Sequence, residues 1–365
     1  MTELEQIVNV ADLERVASER LDAGTLGYFS GGAGDEVTLR DNVAAWRRWQ
    51  LRPRMLVDVS EVSTAATVLG GEISLPVLVA PVAFQRLADP EGEQAMARAA
   101  AAAGTVMSLS TIATARPSEV AAAAPEGRRW YQLYCFRDRA VTRALLDEAV
   151  ESGFEAILLT VDAPHAGRRE RDFRTGFAVP ADVTVPSLDA ALGRQQPVTV
   201  HEVFAQVDPA LGWDGVAELA SECRLPLLVK GVLTAEDAAL AIEHGAAGVV
   251  VSNHGGRQLD CVSATADALP EVVDTVAGKG TVLVDGGVRR GTDVVVALAL
   301  GADAVLVGRP AVWGLAAAGE RGARRCLELL EEEVRLALAL CGCATPAAVT
   351  RGHVQRAPTP SVYSA

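Results

Sequence analysis

The chain has 365 residues, half of them hydrophobic, with a formal net charge of −14 at pH 7 and a pI near 4.9. This acidic balance argues against nucleic-acid or anionic-membrane partners, because their phosphates would be repelled. The length suits a single domain, and six scattered cysteines without paired CxxC groups predict reduced thiols and no metal site.

The N-terminal segment MTELEQIVNVADLERV predicts an amphipathic helix near residues 10–21. It lacks the basic start, apolar run and small-residue cleavage site of a signal peptide. No segment reaches about 18 uninterrupted apolar residues, so we predict no membrane span. We expect a cytoplasmic protein whose first 75 residues form a mainly helical appendage.

Eight short apolar runs after this appendage predict parallel β-strands. They are PVLVAPV from Pro76, VMSLST from Val106, RWYQLY from Arg129, AILLTVD from Ala156, PLLVKGV from Pro226, GVVVSN from Gly248, TVLVDGG from Thr281 and AVLVGRP from Ala304. Helical segments such as PEGEQAMARAAAAAG and GTDVVVALALG lie between them and end at glycine. The pattern predicts an α/β fold, a TIM (β/α)8 barrel over residues 76–340 with a tail at 341–365; a doubly wound sheet is the alternative.

One interval between strands is much longer than the others. About 70 residues separate the starts of the fourth and fifth runs, and residues 163–212 within it are rich in Pro, Arg, Asp and Gln, with weak periodicity. Long loops in compact domains are often lids over a site. We predict that residues 163–212 form a lid-like loop over the barrel mouth.

Polar and small residues stand where the eight predicted strands end, which is where barrel enzymes place their active sites. In chain order they are Pro81, Val82, Ala83, Ser110, Gln132, Tyr134, Thr160, Asp162, Lys230, Ser252, Asn253, His254, Asp285, Gly286, Gly287, Gly308 and Arg309. Any one of them could be an ordinary cap or turn residue. Their coincidence at eight strand ends predicts one shared site.

The last two loops, DGGVRRG and GRP, combine glycines, arginines and helix starts after the seventh and eighth strands. Many barrels bind a phosphate group at this place, so a phosphate is the expected ligand. Lys230 ends an apolar strand and needs an anionic partner if it is buried. An electron-accepting ring that becomes negative on reduction would serve, whereas a flavin-free lyase with a Schiff-base lysine is the alternative.

The segment SNHGGRQLD places His254 and Arg257 directly after the sixth strand. Histidine exchanges protons near neutral pH, and arginine binds a carboxylate with two parallel hydrogen bonds. Asp162 could accept the second imidazole N–H and favour the protonated ring that arises during turnover. Arg169, on the long loop, could add a second cation over the same carboxylate.

These motifs resemble those of the FMN-dependent 2-hydroxy-acid oxidases and dehydrogenases, the family of glycolate oxidase, lactate oxidase and mandelate dehydrogenase. The resemblance extends from YFSGGAGDE through APVAFQRLADPEGE, LTVDAPHAGRRERD, LVKGVLTAEDA and VVSNHGGRQLD to LVDGGVRRGTDV and GRP. It implies an FMN-binding (β/α)8 barrel that oxidises an (S)-2-hydroxy acid to a 2-oxo acid. It also implies a homotetramer or octamer.

The resemblance also implies roles for individual residues. His254 would be the active-site base, held by Asp162, with Lys230 stabilising the reduced flavin. Arg257 and Arg169 would bind the substrate carboxylate, helped by Tyr28 and Tyr134. The remaining cofactor contacts would be Pro81, Val82, Ala83, Ser110, Gln132, Tyr134, Thr160, Ser252, Asp285, Gly286, Gly287, Arg289, Gly308 and Arg309.

Two positions depart from the glycolate oxidase pattern, since Val82 replaces a threonine and Ile112 replaces a tryptophan. If Ile112 and Ala166 line the substrate side chain, there is room for lactate, a longer aliphatic acid or a mandelate-type acid. Ala83 in place of glycine resembles the members that use dioxygen and form hydrogen peroxide. A quinone or an electron-transfer protein is the alternative electron acceptor.

Overall fold

Eight parallel strands close into a barrel in the computed structural model, which describes residues 3–194 and 200–358. The strands are β1 (Val77–Val79), β2 (Val106–Leu109), β3 (Arg128–Leu133), β4 (Ile157–Thr160), β5 (Leu227–Val232), β6 (Gly248–Val251), β7 (Thr281–Val284) and β8 (Ala304–Val307). Strand β8 pairs with β1 and completes the ring. The predicted (β/α)8 barrel is confirmed, with each strand inside or next to its predicted run.

Helices surround the barrel, and three of them lie in the N-terminal appendage. They are α1 (Val10–Arg20), α2 (Ala23–Ser30), α3 (Val37–Ala45), α4 (Gly92–Ala102), α5 (Pro117–Ala123), α6 (Arg139–Glu151), α7 (Glu170–Thr175), α8 (Pro186–Ala191), α9 (Val200–Gln206), α10 (Trp213–Glu222), α11 (Ala235–Glu243), α12 (Thr265–Val276), α13 (Gly291–Leu300) and α14 (Arg309–Cys341). Side-chain caps define several starts: Asn9 accepts from the Asp12 N–H, and Asp138 accepts from the Ala140 N–H.

The barrel interior changes from apolar to polar along the strands. Leu158, Leu228 and Trp130 belong to one fully buried apolar cluster. Alternate side chains of a strand point to the same face. The residues two positions further along, Thr160, Lys230 and Gln132, therefore also point inward, above the apolar layer. This spacing brings polar groups from separate strands together at the mouth.

A short hairpin closes the opposite end of the barrel. Strands Ala66–Val68 and Gly71–Ile73 pair antiparallel, and Val68 and Ile73 join the apolar cluster inside the barrel. The N-terminal appendage also pairs with the C-terminal tail, since strand Trp49–Leu51 pairs with strand Val354–Arg356. The predicted tail therefore contributes a strand. Pairing between segments some 300 residues apart leaves no local pattern in the sequence.

The predicted lid-like loop is partly helical, because α7, α8 and α9 lie within residues 163–212. Residues 195–199 of this segment are outside the described residues. The helix start predicted at GRP is the first turn of α14, whose length was not predicted and whose backbone is non-helical at Ala318 and Gly319. Within residues 3–194 and 200–358, no helix has both the length and the apolar character needed to cross a membrane.

Candidate active site

A cavity with an empty volume of about 1080 Å³ opens at the carboxyl ends of the strands. Its lining includes nearly all of the predicted cofactor and substrate residues. These are Tyr28, Pro81, Val82, Ala83, Ser110, Gln132, Tyr134, Thr160, Arg169, Lys230, His254, Arg257, Asp285, Gly286, Gly287, Arg289, Gly308 and Arg309. The other two predicted residues, Asp162 and Ser252, lie behind the lining and contact it through His254 and Lys230.

His254 and Asp162 form a hydrogen-bonded pair at the edge of the cavity. The imidazole Nδ1 lies 2.9 Å from Asp162 Oδ1. Because an ionised carboxylate can only accept, Nδ1 carries the hydrogen and the lone pair of the neutral ring is on Nε2. The imidazole therefore has a free acceptor nitrogen for a substrate hydroxyl.

The Asp162 carboxylate is stabilised in its charged form. Burial raises the pKa of its carboxyl, but the charge and hydrogen bond of His254 and the charge of Lys230 outweigh burial, so the pKa lies below its usual value. A negative charge at this point can stabilise the positive charge that develops on the ring when Nε2 takes a proton. The pair is suited to receiving a proton from a substrate.

Two arginines approach the same aromatic ring from the lid and from the loop after β6. The guanidinium carbon of Arg257 lies 4.9 Å from the Tyr28 ring centroid, and that of Arg169 lies 5.7 Å away. Burial, with the nearby charge of Arg169, lowers the pKa of Arg257 to about 10. Within the described residues, Arg257 has no acidic ion-pair partner. An anion placed between the two cations would offset their repulsion.

The side wall of the cavity is mostly apolar and includes a residue from the lid. Phe204 of α9 makes an edge contact with Tyr134, at a centroid distance of 5.6 Å. Ile112 also lines the cavity, as expected, whereas Ala166 is outside the lining. Burial raises the pKa of the Tyr134 phenol, so its hydroxyl remains a hydrogen-bond donor.

Lys230 occupies the floor of the cavity in a buried ion pair. Its ammonium group lies 2.8 Å from Asp285 Oδ2 and donates to Ser252 Oγ at 2.7 Å. The anionic partner that a buried lysine requires is thus Asp285, directly after β7. Both contacts occupy the nitrogen that Schiff-base chemistry would need free, which argues against the flavin-free lyase.

The cavity floor fits an aromatic cofactor with polar edges. Within the described residues, the buried polar atoms of the lining that lack hydrogen-bond partners include Gln132 Nε2, Thr160 Oγ1 and Asp285 Oδ1. Buried polar atoms are rarely left unpaired in a folded protein. Donors and acceptors of this mixed kind match a flavin ring and its ribityl chain.

The two predicted phosphate arginines differ in what they contact. Arg309 donates to the carbonyl oxygens of Phe29, Gly31 and Gly255, at 2.8 to 3.0 Å. Arg289 donates to the carbonyl of its neighbour Val288, and burial lowers its pKa. Arg289 is therefore the better placed to bind a phosphate directly, whereas Arg309 connects α2 to the loop after β6.

Sequence reasoning missed several cavity residues. They are Phe29, Ala80, Phe204, Gly255, Val288, Leu306, Val307, Pro310 and Val312. Phe204 left no signal because it lies in a segment without periodicity. Pro310 is the last residue of the predicted GRP loop and Val312 lies two positions after it, so the helix start assigned there could have suggested them.

Residues 17–356 match the FMN-dependent dehydrogenase family. Glycolate oxidase 5 of Oryza sativa subsp. japonica is 48% identical over 354 residues, covering 96% of each chain. L-lactate oxidase of Nostoc sp. is 48% identical over 353 residues, covering 94% of this chain and 97% of that protein. A solved mandelate oxidase is 45% identical with a TM-score of 0.89, covering 96% and 98%. A mandelate oxidase variant with (S)-mandelic acid is 44% identical with a TM-score of 0.89, covering 97% and 100%.

Proposed function

The chain belongs to the FMN-dependent dehydrogenase family, and we propose that it oxidises an (S)-2-hydroxy acid larger than glycolate to the 2-oxo acid. Dioxygen accepts the two electrons and becomes hydrogen peroxide. The observation that carries this proposal is the placement of His254 Nε2, free of the Asp162 contact, in a cavity that also holds Arg169 and Arg257. The oxidase names of the relatives support the choice of acceptor.

The residues of the chain bind the substrate and move its proton. Arg257 and Arg169 bind the carboxylate, and the hydroxyls of Tyr28 and Tyr134 orient it. The substrate hydroxyl donates to His254 Nε2 and loses its proton there, while Asp162 accepts from Nδ1 and stabilises the imidazolium. FMN, when bound, supplies a ring that accepts two electrons.

The chain holds that cofactor from three sides. Gln132, Thr160 and Ser110 would pair with the ring edges, and the loop from Pro81 to Ala83 would lie against the ring. Asp285 and the glycines after β7 would hold the ribityl chain and phosphate with Arg289. Lys230 would supply a positive charge beside the ring, which favours the reduced, negatively charged form.

We assign the substrate to the larger acids because the side wall is apolar and lacks a tryptophan. Ile112 and Phe204 would contact an aliphatic or aromatic side chain of the substrate. A well-fitted apolar group changes kcat/KM by about 10- to 200-fold per methylene-sized difference. We expect kcat/KM for (S)-lactate, (S)-2-hydroxyoctanoate or (S)-mandelate to exceed that for glycolate.

The variant Ile112→Trp tests the same assignment by making the pocket smaller. The indole would fill the space next to Val82, so kcat/KM for the larger acids falls while that for glycolate is retained or rises. Steady-state kinetics with the four acids measure both changes, with Ile242→Leu on the outer helix α11 as a control for a remote apolar substitution. A wild-type preference for glycolate would contradict the substrate assignment.

An anaerobic visible spectrum tests the reaction itself. We expect a yellow flavin band that bleaches with (S)-lactate or (S)-mandelate and returns rapidly with peroxide when air is admitted. Slow recovery in air with rapid recovery by a quinone would overturn the choice of dioxygen. A colourless protein that FMN cannot reconstitute would overturn the whole proposal. Assembly into a tetramer or octamer and a cytoplasmic location stay predictions from the sequence.

A further inference from the structure

Helix α3 of the N-terminal appendage lies against the barrel mouth and contacts two loops of the site. Asn42, on this helix, forms a reciprocal amide pair with Asn253, the residue before His254. Asn42 Nδ2 donates to Asn253 Oδ1, and Asn253 Nδ2 donates to Asn42 Oδ1, each at 2.8 Å. Both side chains are buried, with 2% and 4% of their surface exposed.

The Asn253 amide also organises the loop that carries the base. Its Nδ2 donates to the Ser263 carbonyl at 3.1 Å, and its Oδ1 accepts from the Gly256 N–H at 3.1 Å. The amide thus spans the turn that holds His254 and Arg257. A buried polar network in which every member is paired is rigid and sensitive to the loss of one member.

The same helix contacts the loop DGGVRRG after β7, residues 285–291, which is the phosphate loop predicted from the sequence. Trp46, just past the end of α3, donates from Nε1 to the Gly286 carbonyl at 3.0 Å. A Cβ at Gly287 would lie 2.0 Å from the Asn42 carbonyl oxygen, and one at Gly256 would lie 2.7 Å from Leu39. Both glycines have positive φ, 80° and 77°. Both loops therefore pack directly on the helix backbone, at a separation only glycine permits.

We propose that Asn42 and Asn253 are positioning residues. Together they fix the position of the His254 loop relative to the phosphate loop. Asn42 contacts both loops, because its side-chain amide pairs with Asn253 and lies 3.3 Å from the position of a Cβ at Gly286, while its carbonyl contacts Gly287. FMN affinity and proton transfer to His254 therefore depend on the same residue, although Asn42 lines neither the substrate nor the cofactor space. The inference rests on the proposed function and deepens it.

The variant Asn42→Ala tests this coupling by removing one half of the amide pair. A buried hydrogen bond left unmade weakens a dependent equilibrium by about tenfold. We expect the FMN dissociation constant, from titration of the apoprotein, to rise about tenfold. In the FMN-saturated enzyme we expect kcat to fall about tenfold with little change in KM, because the carboxylate contacts of Arg257 and Arg169 remain.

Two further variants complete the test. One affects FMN binding without affecting kcat, and the other is a control for general loss of stability. Trp46→Phe removes the hydrogen bond to Gly286 and part of the buried ring but leaves the amide pair intact, so FMN affinity weakens while kcat of the saturated enzyme is retained. Asn9→Ala removes a helix cap of α1, away from the mouth, and lowers thermal stability without changing FMN affinity or kcat. If Asn42→Ala does not fold, Asn42→Asp keeps the side-chain shape and replaces the donor by an acceptor.

The outcomes distinguish this inference from the proposed function. If Asn42→Ala lowers the melting temperature as Asn9→Ala does, and leaves the FMN dissociation constant and kcat unchanged, Asn42 is only structural and the inference is wrong. If the wild type binds FMN but oxidises no 2-hydroxy acid, the proposed function fails. The FMN titrations would then still show whether Asn42 positions the phosphate loop.

Discussion

At the scale of the residue, His254 combines an uncommon backbone conformation with a specific side-chain contact. Its φ is +57°, in the left-handed region that residues with a Cβ rarely adopt. The backbone N–H is held by Ser252 Oγ at 3.1 Å, and Nδ1 by Asp162. Strained residues of this kind persist where surrounding contacts over-determine them, commonly at active sites. One contact to the His254 backbone and one contact to its ring thus fix the orientation of the imidazole.

The variant Asp162→Asn tests whether the carboxylate selects the tautomer of His254. An amide can donate to Nδ1, which would move the ring hydrogen to Nε2 and remove the base. We expect kcat to fall by about 10²- to 10⁴-fold, with FMN still bound and KM little changed.

Stopped-flow reduction of the flavin band by substrate measures this loss directly. Asp303→Asn, at the opposite end of the barrel, is the matched control. Asp303 accepts from the Val282 N–H, a bond that an asparagine oxygen can keep. A reduction rate within threefold of the wild type in Asp162→Asn would show that the carboxylate does not control the base.

Most residues predicted for the site line one cavity, because each stands near the end of an apolar strand. Asp162, Lys230 and His254 follow apolar runs, and parallel strands bring such ends together. Their partners were harder to predict. The ion pair of Lys230 with Asp285 joins residues 55 positions apart, and it depends on how the barrel strands place the two side chains.

At the scale of the element, a buried carboxylate connects two loops of the cavity wall. Glu93, in the first turn of α4, is fully buried. Its Oε1 accepts from the Gln85 N–H at 3.1 Å and from the Thr114 N–H at 2.9 Å, and its Oε2 contacts the Thr114 hydroxyl. The loop after β1 carries Ala83, and the loop after β2 carries Ile112. Glu93 therefore fixes the distance between two walls of the site.

Burial raises the pKa of the Glu93 carboxyl, and this fixes the sign of its effect on stability. Between the unfolded pKa of about 4.3 and the folded value, the native state binds more protons than the unfolded state. The contribution of Glu93 to the free energy of unfolding therefore falls as pH rises through that window, and it stays low above it. Glu93→Gln keeps both backbone hydrogen bonds and has no charge to bury.

We expect urea denaturation to show a smaller loss of stability between pH 4.5 and pH 7 in Glu93→Gln than in the wild type. Glu93→Ala leaves two buried N–H groups unpaired and is expected to cost about 1 to 3 kcal/mol for each. The same pH dependence in Glu93→Gln and the wild type would show that the Glu93 carboxyl has the same pKa in the folded and unfolded states, which would contradict the raised pKa.

Elements with local patterns were predicted, and elements defined by distant partners were not. Each barrel strand lies in or next to a short, mainly apolar run. The hairpin Ala66–Val68 with Gly71–Ile73 is too short to stand out, and Trp49–Leu51 finds its partner only at Val354–Arg356. The lid helices have weak periodicity for another reason: α7 has no buried residue and α8 buries only two.

At the scale of the whole molecule, the cavity concentrates positive charge in an acidic protein. The formal net charge is −14, yet Arg257, Arg289 and Arg309 all face the cavity, and burial lowers the pKa of each. Removing a cation from water costs free energy unless an anion approaches it. The apoprotein therefore retains an unfavourable term that a bound phosphate and a carboxylate would reduce.

This charge distribution predicts that FMN stabilises the fold more than riboflavin does. At a free concentration of 100 times the dissociation constant, a ligand that binds only the native state adds about 2.7 kcal/mol. Riboflavin lacks the phosphate, so it should bind more weakly and raise the melting temperature of the apoprotein less at equal concentration. Differential scanning fluorimetry with either compound measures the difference. Inorganic phosphate alone should give a smaller stabilisation of the same sign.

Neighbouring arginines provide the variants that locate this effect. Arg289 lines the cavity, whereas Arg290 is half-exposed and pairs with Glu333 at 3.1 Å on the outside of the barrel. A charged hydrogen bond contributes about 1.5 to 3 kcal/mol, so Arg289→Ala should weaken FMN binding by about 10- to 150-fold and abolish most of the advantage over riboflavin. Arg290→Ala should change FMN binding by less than threefold, because its charge is screened by solvent. Equal losses in the two variants would mean that long-range net charge, and not a direct phosphate contact after β7, holds the cofactor.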